Sequence, residues 1–126
     1  MVFVIYIEGA LHINFMNNTE IGNKGEKIAK KYLKLRFYKI LETNYRRKTG
    51  EIDIIAKKKG YIIFIEVKYR SNTNKGLPRE AVNAFKQRQI KRTAEMYIME
   101  NSLSCDMRFD VIEILGKKIE HIKNAF

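Results

Sequence analysis

The spacing of apolar and polar positions changes several times along the chain, and each change marks an element. After Thr19, a side chain suited to capping a helix, Ile21, Gly25, Ile28, Ala29, Tyr32 and Leu33 recur at three- and four-residue intervals. That repeat lines one face of a helix. Lys24, Lys27, Lys30, Lys31 and Lys34 fill the other positions. Glu26 borders the apolar stripe, within about 20° of Leu33 at roughly 100° per residue. From Tyr38 the period shortens. Ile40–Arg46, Glu51–Ala56 and Tyr61–Tyr69, rich in Ile, Tyr, Phe and Val, predict three strands. Lys48-Thr49-Gly50 and the four-residue loop Lys57-Lys58-Lys59-Gly60 separate them. Ser71–Pro78 reads as a polar loop, with Pro78 suited to open a helix. That helix runs to about Asn101, with Val82, Lys86, Ile90, Ala94, Tyr97 and Ile98 on one side. Phe109–Leu115 and Ile119–Ile122 predict two further strands, joined at Gly116-Lys117. The order αβββαββ predicts an α/β fold, a mixed sheet flanked by helices. Residues 1–17 stand apart as a disordered appendage or an added edge strand, with Met16 an alternative start, and 18–126 form one domain.

Composition narrows the class. A chain of 126 residues buries about two thirds of its unfolded surface, enough for a core without covalent staples. The single cysteine, Cys105, excludes an internal disulfide framework, and no Cys/His cluster offers a structural zinc site. The apolar run Met1–Ile7 is too short to span a bilayer, and no basic residue precedes Lys24 to open a secretory signal. The expectation is a cytoplasmic protein without a membrane partner.

Charge says more by its distribution than by its total of +11. Residues 24–92 hold 21 basic and 6 acidic side chains, a net of +15, while the flanking stretches are each slightly acidic. A surplus sustained over that length favours a polyanion, because neutralising phosphates releases counterions. Nucleic acid is the expected partner, with Lys30, Lys34 and Lys58 among the contacts.

Within this basic region, one strand carries Glu66-Val67-Lys68 and its neighbour carries Asp53. Residues i and i+2 of a strand share a face, so Glu66 and Lys68 project together. With the hairpin closed by a four-residue loop, Asp53 lies opposite Phe64 and diagonal to Glu66. Two readings follow. The charges pair with one another on an exposed face, or the carboxylates hold Mg²⁺ or Mn²⁺, hard ions that bind through few carboxylates plus phosphate oxygens.

Asp53, then Glu66-x-Lys68, resembles the signature of the PD-(D/E)xK nuclease superfamily. Gly25-Glu26, Asn44-Tyr45-Arg46, Gly50-Glu51-Ile52-Asp53-Ile54-Ile55-Ala56, Phe64-Ile65-Glu66-Val67-Lys68-Tyr69-Arg70, Arg108-Phe109-Asp110-Val111 and Asn124-Ala125-Phe126 resemble the bacterial YraN-like family of endonuclease-like proteins. Ile52 replaces the proline that usually precedes the superfamily's first aspartate. The resemblance implies a restriction-endonuclease-like core similar to that of archaeal Holliday-junction resolvases, and a Mg²⁺- or Mn²⁺-dependent endonuclease acting on DNA, branched DNA included. It implies Asp53, Glu66 and the Val67 carbonyl as metal ligands, Lys68 as the catalytic lysine, and Glu26 completing the site directly or through water. Arg70 and Lys86 would hold phosphate, against a surface role for Arg70 and a snorkelling one for Lys86. A homodimer would suit symmetric cutting of two strands. The alternative is a nucleic-acid-binding module on the same scaffold without cleavage. Arg108 and Asp110 are expected to pair with each other; His12 and His121 share no ligand motif, and Tyr45, Tyr61, Phe64 and Tyr69 suit core packing better than base stacking.

Overall fold

Strands with apolar runs on both faces need cover on both sides, and the chain supplies it with one helix per face. The computed structural model describes the backbone of residues 2–6, 18–70 and 82–126, and the side chains of 23–70 and 82–126. The elements are β1 (Val2–Tyr6), α1 (Asn18–Leu35), β2 (Lys39–Arg47), β3 (Gly50–Lys58), β4 (Tyr61–Arg70), α2 (Ala84–Glu100), β5 (Asp106–Leu115) and β6 (Lys118–Ile122). Strands β2–β6 form a mixed sheet. β1, left open by the sequence between appendage and edge strand, pairs antiparallel with β6, giving the order β1-β6-β5-β4-β3-β2. The one parallel pair, β4 with β5, is joined through α2. No helix among the described residues is long and apolar enough to cross a membrane.

Two apolar layers hold the helices. α1 sets Ala29, Tyr32 and Leu33 against Ile54, Ala56, Ile63, Ile65, Ile112, Ile114 and Ile119. On the opposite face, α2 sets Ile90, Ala94 and Tyr97 against Tyr45, Ile52, Ile55, Ile62, Phe64, Val111 and Ile122. The consecutive run Ile62–Ile65 is buried throughout because both layers meet at β4. Burying each such side chain contributes about 1.5–3 kcal/mol.

Three expectations about element ends and register change. α1 begins at Asn18, so Thr19 lies inside it instead of capping it. α2 opens at Asn83, whose Oδ1 accepts from the Lys86 N–H at 2.9 Å. This makes Asn83 the cap and leaves buried Val82 just ahead of the helix; the predicted loop Ser71–Pro78 lies outside the described residues. The hairpin between β3 and β4 closes in two residues, not four. Lys59 (φ 49°) and Gly60 (φ 82°) both adopt left-handed backbone, as a type I′ turn requires. Lys57 and Lys58 are therefore strand residues, and Phe64 faces Ile55, not Asp53.

Candidate active site

The corrected register is what brings the carboxylates together. The β3–β4 ladder runs from Lys58↔Tyr61 to Ile54↔Ile65 and ends there. One further step would set Asp53 beside Glu66. At this point β3 loses its two-residue alternation: Ile52 and Ile55, three apart, pack in the same α2-side layer. The irregularity frees the next backbone donor of β4, and the Val67 N–H donates to Asp53 Oδ2 at 2.8 Å. Asp53 is thereby fixed by one oxygen, and Oδ1 takes no hydrogen bond from the described residues.

Glu66 continues the buried run of β4 and is only 5% exposed. An isolated carboxylate so placed would be costly, and two ammonium groups offset it. Lys86, on the inner side of α2, pairs with Glu66 Oε1, and Lys68 Nζ stands 3.4 Å from the same oxygen. Burial alone would lower the Lys86 pKa, but its bond to Glu66 and the charges of Glu66 and Asp53 outweigh burial and hold it raised. Among the described residues no cation forms an ion pair with Asp53, and Lys86 acts on it only through its charge. Burial first, then the charges of Glu66 and Glu26, push its carboxyl up to about 7 against the pull of the Val67 N–H.

Glu26 reaches this cluster because α1 approaches β4 closely. A Cβ at Gly25 would meet the Tyr69 Cβ at 3.1 Å, so glycine permits the approach. Asn44, in left-handed backbone at φ 53°, donates from Nδ2 to Glu26 Oε2 at 3.0 Å and orients it. Asn is among the residues that tolerate this conformation; the sequence marked Asn44 only as part of the Asn44-Tyr45-Arg46 segment, without this role. A fourth carboxylate, Glu113, was not foreseen. It pairs with Lys68 across the β4–β5 ladder, and burial pushes its carboxyl up. Its Oε2 has no hydrogen-bond partner, while Arg70 Nε lies 3.4 Å from Oε1. Arg70, its side chain only 10% exposed, is thus engaged with β5 instead of reaching out from the surface.

The remaining predicted contacts spread along the molecule. Lys30 and Lys34 line an open groove of about 370 Å³ on α1 with Lys27, Lys31 and Leu35. Lys58 sits at the far end of β3 from Asp53 and donates to the Arg36 carbonyl. Arg108 does pair with Asp110, at 2.8 Å. His121 is fully buried and bonds to Asp110 and Tyr32. Tyr45 and Phe64 are core residues, whereas Tyr61 is 39% exposed.

Among the described residues, no three His, Cys, Asp or Glu side chains converge as a ready-made metal cage. What the fold does present is two acidic groups, Asp53 and Glu66, beside the β4 backbone at Val67, with Glu26 held nearby by Asn44. Mg²⁺ retains waters and needs few protein ligands, and burial first, then the neighbouring Glu66 charge, disfavour the Asp53 carboxylate in a way a cation would relieve. The donor set therefore fits a hard divalent ion.

Fold and site together define a mixed α/β domain with a carboxylate–lysine cluster where two antiparallel strands part. Residues 25–114 match the model of the uncharacterised protein family UPF0102, and the chain belongs to this YraN-like family. It is 54% identical over 114 residues to a UPF0102 protein of Clostridioides difficile, covering 88% of this chain and 100% of that one. A UPF0102 protein of Thermodesulfovibrio yellowstonii is 50% identical over 111 residues, covering 88% and 99%. One from Lachnoclostridium phytofermentans is 48% identical over 113 residues, covering 88% and 96%. The family match spans Glu26, Asp53, Glu66, Lys68 and Lys86.

Proposed function

We propose that the chain is a metal-dependent endonuclease of the PD-(D/E)xK superfamily, with a restriction-endonuclease-like core, that hydrolyses DNA phosphodiesters with Mg²⁺ or Mn²⁺. The observation that carries this reading is that Asp53 and Glu66, one step past the end of the β3–β4 ladder, feel each other's charge, with Lys68 on the same strand as Glu66. Asp53, Glu66 and the Val67 carbonyl would hold the ion, with Glu26 able to act through water. A divalent ion bound there polarises a phosphate and lowers the pKa of water. The chain's own groups do the rest. Lys68 stabilises charge developing on the phosphate or orients the attacking water. Lys86 holds Glu66 in place, and Asn44 does the same for Glu26. The lysines of α1 bind the flanking backbone of the strand.

One observation favours the other reading, a binding module that does not cut: Glu66 Oε1 is already met by both Lys68 and Lys86. Incubating the protein with linear, flapped and four-way DNA, with and without Mn²⁺, separates the two. Metal-dependent cleavage of any of these supports the nuclease; tight binding with no cleavage of any of them supports the module.

A further inference from the structure

A second cationic site lies at the C-terminal end of α1, past Glu26. A pocket of about 220 Å³ is lined by Tyr32, Arg36, Tyr38, Lys58, His121 and Lys123. Three of the six carry positive charge and none is acidic. Tyr32, Tyr38 and His121 are buried and rigidly held. His121 Nε2 bonds Asp110 Oδ2 at 2.7 Å, and the Tyr32 hydroxyl bonds His121 Nδ1 at 3.0 Å. Asp110 itself is taken up by Arg108 and by the Asn124 N–H, so its charge is spent beneath the pocket and not in it.

Two of the cations, Arg36 and Lys58, are stacked on rings. The Arg36 guanidinium lies 4.1 Å from the Tyr32 ring centroid, and Lys58 Nζ lies 4.5 Å from that of Tyr38. Lys58 donates one hydrogen to the Arg36 carbonyl at 2.8 Å, leaving two of an ammonium's three. No carboxylate pairs with Arg36 or Lys58 among the described residues. The Tyr38 hydroxyl oxygen accepts from Arg108 Nη2 at 3.1 Å, so its own hydrogen remains to be donated. Burial, and after it the charges of Arg108 and Lys59, hold the Lys123 pKa low. The half-buried pair Arg36 and Lys58 with a hydroxyl donor beside them calls for an anion rich in acceptor oxygens.

We propose that this pocket binds a phosphate group, with Arg36, Lys58 and the Tyr38 hydroxyl as donors. Its floor of buried side chains suits a terminal phosphate better than a backbone running through. Tyr32 and Arg36 lie 6 and 10 residues beyond Glu26 on or just past α1, about 9–15 Å at ~1.5 Å per residue. The exposed lysines of α1 lie between the two sites. A strand engaged at the carboxylate cluster can therefore place its end here. That strand-end role rests on the nucleic-acid reading above; phosphate binding as such does not.

Titration calorimetry of the full chain with inorganic phosphate, in a chelator and at constant ionic strength, tests the site. Saturable binding of one equivalent is expected, weakened at least tenfold by Arg36→Ala and by Lys58→Met in proteins with native circular dichroism, and unchanged by Lys117→Ala at the exposed β5–β6 turn. Absence of saturable binding, or equal weakening by Lys117→Ala, overturns the proposal. A second arm compares oligonucleotides with and without a terminal phosphate. Tighter binding of the phosphorylated strand, with the difference abolished in Arg36→Ala, supports the strand end. No difference, while inorganic phosphate still binds, overturns the strand end and leaves a site for free phosphate. Loss of all oligonucleotide binding with phosphate binding intact overturns the nucleic-acid reading and not the pocket.

Discussion

Asp53 stands in a position that penalises its charge before any ligand arrives. Its folded pKa, about 7, lies above the ordinary carboxylate value near 4. Between those values the folded state holds a proton that the unfolded state has released, so stability falls as pH rises through this window. Asp53→Asn removes the penalty. In chelator, the variant should melt a few degrees above wild type at pH 8, consistent with about 1–2 kcal/mol, and no higher at pH 4. Thermal melts at the two pH values check this; equal melting temperatures at pH 8 would contradict the electrostatic account of the site. Glu66 shares the crowded position but has Lys86 and Lys68 against it, so the same argument does not extend to Glu66→Gln.

Single elements show how backbone chemistry outweighs periodicity. α1 ends with the Tyr38 N–H bonded to the Leu33 carbonyl at 3.0 Å and the Phe37 N–H to that of Lys34 at 3.1 Å. Phe37 sits there at φ 65° with 89% of its surface exposed, a place where glycine is the usual residue. Relief of left-handed strain exceeds the entropy glycine adds to the unfolded chain. Phe37→Gly should therefore raise stability by about 0.5–1 kcal/mol, read from urea unfolding; a loss would show that the ring makes contacts its exposure denies. The same left-handed chemistry hid the hairpin. Lys59-Gly60 closes β3 onto β4, but four consecutive residues Lys57–Gly60 read equally well as a longer loop. Once Lys59 takes positive φ, the register moves by two residues and Asp53, diagonal to Glu66 in the longer loop, comes level with it one step past Ile54↔Ile65.

Across the whole molecule, what was legible followed from local pattern, and what was not depended on long-range pairing. Both helices and five strands lie where periodicity put them, to within a few residues save the start of α2, which falls at Ala84 and not at Pro78, and Glu66 and Lys68 stood out as charges near the end of an apolar strand. Tyr32 and His121 bond to each other across 89 positions of sequence, which no spacing rule connects. Glu113 gave no sign because its role arises only from the parallel register with β4. The basic surplus was visible in composition, and its arrangement was not: Lys30 and Lys34 share an open groove on α1 while Lys58 lines a separate pocket. If phosphate contacts dominate association, the logarithm of DNA affinity should fall linearly with that of salt concentration. Lys30→Gln and Lys34→Gln should each flatten that slope by about one contact and weaken binding alike for all sequences. An affinity indifferent to salt would contradict the polyanion reading.

The central claim is that Asp53 and Glu66 act as one metal-holding pair. It is tested most directly by cleavage of a labelled four-way DNA in Mn²⁺ by wild type, Asp53→Asn and Glu66→Gln, each shown to be folded and to bind the DNA. The account predicts that wild type cuts, and that both variants lose cleavage by about 10²-fold or more while binding the DNA as tightly as wild type or tighter. Cleavage by either variant at the wild-type rate would contradict it.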